Sequence, residues 1–211
     1  MTRSGVELAD RSALDLIRRG EMPGDKELDT FHTSQIVDNL RRVVEVRDLE
    51  WLLPAIATSQ DGRLPLLISL IARHSARSDV QKILRQRWHI SSVYIQSVLM
   101  WRLLDDPLLS MDWHQRLFDL AIAEWELFCE ESRRFFGKSE ENLFSKAFER
   151  YCDPTRPKSK KWAYLCCIAC VDSYPSAVDA ILEQALSGSD PFLRTVAETL
   201  SARRYEHQTS L

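Results

Sequence analysis

Cys166, Cys167 and Cys170 crowd into one short stretch, and in a helix Cys166 and Cys170 share a face, a spacing at which thiolates can hold a soft metal. Zinc asks for four ligands, no histidine or second cysteine pair lies nearby in sequence, and cysteine is among the residues most readily buried as a small apolar group. Core packing without metal is the expectation. Gly137-Lys138-Ser139 has the ending of a phosphate-binding loop, but Ser132 stands where that motif needs its first glycine, and a helix rather than a strand precedes it. It reads as a helix stop followed by a helix cap. His32, His74, His89, His114 and His207 are not paired with one another or with Glu at metal-ligand spacing, and neither a Gly-x-Ser-x-Gly elbow nor a glycine-rich nucleotide fingerprint occurs. Asp105, Asp106, Glu130 and Glu131 read as solvated carboxylates at helix ends or on open faces. No cofactor is implied.

Arg156, Lys158, Lys160 and Lys161 form the densest basic run, inside a segment, 153–161, broken by two prolines. A mobile loop there could meet a phosphate or an acidic partner by charge attraction. Trp88, Trp101, Trp113 and Trp125 fall on different helices and read mostly as inter-helix core. The net charge of −3, with acids and bases interleaved, lacks the strong positive field that nucleic-acid binding relies on, so nucleic acid is disfavoured as a partner.

The elements that must position these residues are helical. The 211 residues suit one domain with a real core. The first twenty lack a continuous apolar stretch, no run approaches a membrane span, and five cysteines, three of them on one helix, read as reduced thiols in a soluble cytoplasmic protein. Apolar residues at three-and-four spacing predict an all-α chain of about ten helices: Val6 to Arg19, Asp29 or Thr30 to Val46, Leu49 to Thr58 around Pro54, Leu64 to Ala76, Asp79 to Trp88, and Ser91 or Ser92 to Leu104. A long helix from Met111 or Asp112 to Phe136 stops at Gly137, and Ser139 opens the next, to Cys152. Trp162 to Ser173 is apolar nearly all round and should be central. Pro175 starts the helix leading into Ala177 to Arg204, and 205–211 should fray.

Ala177 to Arg204 folds as two amphipathic helices across a turn at Ser187-Gly188-Ser189-Asp190. Leu53 to Asp61, Leu84 to Ser92 and Leu182 to Asp190 each span eight residues, after which Leu64, Ile95 and Leu193 coincide, as do Leu67, Val98 and Val196, and Ile68, Leu99 and Ala197; Arg102 breaks the next position, shared with Ile71 and Leu200. Leu53 to Leu84 is 31 residues and Leu84 to Leu182 is 98, close to three such periods. With Asp190-Pro191, Leu193, Arg194, Val196, Ala197 and Leu200 in place, the segment resembles a HEAT-type helical repeat. The resemblance implies a single domain, 1–211, of stacked antiparallel helix pairs, and a non-enzymatic scaffold whose second helices line a concave surface for a protein or peptide partner. Ser69, Arg73, Gln96, Met100, Arg194 and Glu198 lie off the core positions there. Small HEAT-like arrays also resemble the DNA alkylation-repair glycosylases, with Asp112-Trp113 in the lesion role.

Overall fold

The computed structural model describes residues 14–20, 40–60, 62–156 and 160–209. The start of the first predicted helix, the loop after it, Ile36, Val37, Asp61 and Lys158 lie outside the described residues. Every described element is helical, and no strand occurs among the described residues. No helix is long and apolar enough to cross a membrane among them. The chain divides into two compact units, Met1–Leu108 and Leu109–Leu211.

In the first unit, helical residues 14–18 and 40–43 and a 3-10 turn, Val46–Asp48, precede α1 (Leu49–Thr58) and α2 (Leu64–Leu70), which a 3-10 turn extends over Ile71–His74. Next come α3 (Ser78–Trp88) and α4 (Val93–Leu103). Pro65 sits in the first turn of α2, where its missing N–H has no helical partner to lose. Pro54 stays within α1, whose helix continues through it. Helix α1 packs on α2 and α3 on α4; α1 also packs on α3, and α2 on α4. Pairs therefore stack like on like.

A second feature keeps the same period. A helix leaves its last carbonyls without partners, and here basic side chains from a neighbouring pair donate to them. Arg73 Nη1 donates to the Arg42 carbonyl at 2.9 Å, His74 Nε2 to Val44 at 3.2 Å and Arg87 Nη2 to Ser59 at 2.9 Å, while Arg41 Nε reaches forward to Ser69 at 3.0 Å. These bonds join residues 28 to 31 apart, the spacing read from the apolar pattern. The core beneath them is Leu52, Ile56, Leu64, Leu67, Ile68, Ile71, Leu84, Ile95 and Leu99, all at 1% exposure or less.

In the second unit, one predicted helix is two. Helix α5 (Met111–Ala123) ends at Glu124, whose φ of −111° and ψ of 48° leave the helical region, and α6 (Trp125–Phe136) starts anew. Gly137, at φ +132°, closes α6; a Cβ there would sit 3.0 Å from Asn142 Cβ, so a side chain is excluded by conformation and space together. Ser139 Oγ accepts from Asn142 N and caps α7 (Glu140–Cys152). Helix α8 (Lys161–Ala169) is central: Trp162 through Val171 are all buried. Helix α9 (Pro175–Leu186) and α10 (Pro191–Thr209) form the final pair; α8 packs on α7 and on α10. Arg204 Nη1 bridges the carbonyls of Ala169 and Val171, so the capping device recurs at separations of 35 and 33.

Asp190 Oδ1 accepts from the N–H groups of Phe192 and Leu193 at 3.0 and 3.2 Å, with Pro191 as first helical residue. Asp190→Ala should lower stability by about 0.5 to 2 kcal/mol, measured as a shifted urea midpoint at unchanged slope.

Four sequence expectations need correction. Cys129 and Cys170 are joined by a disulfide, with Cα atoms 5.6 Å apart, so the thiols are not all reduced. Leu193, aligned with Leu64 and Ile95 and so expected in the core, is half-buried. Trp113 and Trp125 are half-buried too, whereas Trp88, Trp101 and Trp162 are core. Asp105, Asp106 and Glu131 are not solvated: Asp106 is 8% exposed and meets Arg85 and the N–H of Leu108, Asp105 meets Ser75 and Arg102, and burial raises the Glu131 carboxyl pKa against the pull of Arg134.

Candidate interaction surface

Of the six residues expected on an open stripe, two are inside. Ser69 is 7% exposed and Met100 1%. Their positions lie off the repeat's aligned core positions, but in a stack a second helix has more than one covered face. Gln96 is half-buried and spends its Nε2 on the Trp88 carbonyl at 2.9 Å, finishing the C-terminus of α3. Arg73 is exposed in the first unit; Arg194 and Glu198 are exposed on α10 in the second.

The basic loop is less free than its composition implies. Arg156 pairs with Asp153, Nε to Oδ2 at 3.3 Å, and Thr155 bonds hold the Asp153 carboxyl below its usual range with help from Arg156. Lys161 Nζ lies 5.6 Å from the centre of the Tyr151 ring. Lys160 is half-buried at the start of α8. These bases serve the helix start and the loop. Asp112 is exposed in the first turn of α5, and the Trp113 ring lies under the Arg116 guanidinium at 5.9 Å.

Cys166 and Cys167 are poor sources of thiolate. Burial pushes the Cys167 thiol up to about 12 and that of Cys166 well above its ordinary value. Among the described residues no three His, Cys, Asp or Glu side chains stand where they could share a metal ion.

What sequence reading missed is the company Arg73 keeps. Its bond to the Arg42 carbonyl brings the exposed Arg73 guanidinium to the backbone of a second exposed arginine. Arg41 stands close enough to Arg102 to act against its charge; burial lowers the Arg102 pKa most, and Asp105, 3.6 Å away, supports the cation. Arg102 is thus buried and paired, and the exposed positive charge nearby in sequence is that of Arg42 and Arg73. The signal was present as Arg42 and Arg73 standing one 31-residue period apart. The apolar pattern alone does not carry it. No protein-family model, curated protein or solved structure matches the chain.

Proposed function

We propose that this protein is a non-enzymatic, HEAT-like interaction scaffold and that its first unit grips an acidic segment of a protein partner at Arg42 and Arg73. The observation that supports the reading is the stacking of helix pairs tied by bonds between residues 28 to 31 apart, one of which runs from the exposed Arg73 guanidinium to the backbone of Arg42, itself an exposed residue. Guanidinium groups bind carboxylates through paired hydrogen bonds, so a Glu- or Asp-rich peptide fits them better than an apolar one does. With Cys129 and Cys170 joined, the premise for a cytoplasmic site of action falls away, and the scaffold reading holds in either redox setting.

The experiment is fluorescence anisotropy with a labelled decaglutamate peptide. Arg42→Glu with Arg73→Glu should weaken binding by about tenfold or more, and added salt should weaken the parent complex as it screens exposed charges. Arg194→Glu, in the other unit, should leave the affinity unchanged. Equal binding by parent and double variant, or tighter binding of a thymidine 20-mer than of the peptide, would overturn the proposal.

A further inference from the structure

His114 is 5% exposed in the second unit, beneath rings from two other helices. The Trp162 Nε1–H of α8 donates to His114 Nδ1 at 3.2 Å. An indole nitrogen can only donate, so Nδ1 must present a lone pair and the imidazole must be neutral with its hydrogen on Nε2. The ring also donates to the Leu109 backbone just before α5. Around this bond the rings interlock. Phe118 of α5 meets Trp162 edge-on at 5.7 Å, and Phe192 of α10 lies 6.3 Å from His114, 6.1 Å from Phe118 and 6.4 Å from Trp162. This polar bond is therefore a directional link from α5 to α8 beside an aromatic contact.

We propose that His114 and Trp162 form an acid-sensitive latch that holds α5 against α8 and opens when His114 takes up a proton. A second N–H on the ring would face the indole N–H, turning a hydrogen bond into two opposed donors, and would put a charge among aromatic side chains. No nearby charged group answers it. On α5 itself Asp112, Arg116 and Asp119 are exposed; on α6 Glu126 and Glu130 are exposed and Glu131 pairs with Arg134. From α8, Lys161 lies over Tyr151, and the Tyr164, Cys166 and Cys167 side chains are buried; from α10, Arg194 and Glu198 are exposed and Asp190 caps its own helix. Burial lowers the His114 pKa, with the Leu109 backbone opposing, and no charged side chain contributes.

Because the folded-state pKa lies below the unfolded value, the stabilisation is complete above pH of about 6.5 and is lost as pH falls from there through the folded pKa. The latch therefore stays shut at neutral pH and loosens only below the pH at which an ordinary imidazole takes up its proton. The proposal is independent of any partner.

Hydrogen exchange of the full-length protein, compared at pH 7.5 and 5.0 after correction for intrinsic rates, tests it. Amides of α5 should exchange about tenfold faster or more at the lower pH, with those of α7 unaffected. His114→Asn keeps an acceptor oxygen and cannot titrate, so it should abolish that difference. Nitrogen NMR of the parent gives a second reading that needs no variant: His114 should carry its hydrogen on Nε2 and titrate below its ordinary value. Acid loosening that persists in His114→Asn, α5 exchange that stays flat while His114 titrates, or a hydrogen on Nδ1 would each overturn the latch.

Discussion

Replacing both Cys129 and Cys170 by Ala should lower the stability of the second unit by about 2 to 4 kcal/mol. The bridge ties α6 to the end of α8 across 41 residues of sequence, and closing so long a loop removes much of the freedom of the unfolded chain. Both sulfurs lie in residues only 4% exposed, so their loss also opens space in the core between those helices. Urea unfolding of the full chain under oxidising conditions reads the effect. Adding reductant to the parent should reproduce most of the loss, and Cys152→Ala, at an exposed free cysteine, should not. A thiol count in denaturant settles the premise: three reactive thiols, from Cys152, Cys166 and Cys167, are expected in oxidised protein and five after reduction. Five before reduction would remove the bridge from the account.

That bridge also marks a boundary of what sequence can say. Cys166, Cys167 and Cys170 drew attention because they are close in the chain, but the partner of Cys170 is Cys129, on another helix. Pairing at long range follows from packing, and local spacing carries no trace of it. Helix positions behave in the opposite way. Gly137, Ser139, Pro175, Asp190 and Pro191 each act through the few residues beside them, so the helix ends they mark fall where the chain predicts. Glu124 carries no such mark: the break between α5 and α6 arises at an ordinary helix former, and the apolar pattern runs through it unbroken. Tertiary packing decides that break.

The candidate surface divides along the same line. Exposure of Arg73, Arg194 and Glu198 follows from the face they occupy within their own helix pair. Ser69 and Met100 are buried, and a pattern read one helix at a time registers only one buried stripe. The link between Arg42 and Arg73 is legible only once the 31-residue period is applied to polar residues as well. The arginines here have two tasks: Arg41 and Arg73 complete helix ends in a neighbouring pair, while the exposed heads of Arg42 and Arg73 leave positive charge at the surface.

Leu200→Ala should destabilise the second unit by about 2 to 5 kcal/mol, while Glu198→Ala, two residues earlier on the same helix, should stay within about 0.5 kcal/mol. Leu200 is fully buried, as are Val196 and Ala197, on the side of α10 that packs against α8 and α9; Glu198 is exposed. Truncating Leu200 removes apolar contact and leaves a cavity in a layer fixed by three helices, which limits how far the surroundings can close in. Leu193 supplies the intermediate case. It is half-buried near the Asp190 cap, so Leu193→Ala should cost clearly less than Leu200→Ala, whereas equal burial of the repeat positions would make the two alike. Urea midpoints of the three variants beside the parent, compared at equal slope, give the ordering Leu200, Leu193, Glu198. If Glu198→Ala proved as damaging as Leu200→Ala, the buried and open faces of α10 would be exchanged, and the outward placement of Arg194 would fail with them, because Arg194 and Glu198 lie one helical turn apart on the same face.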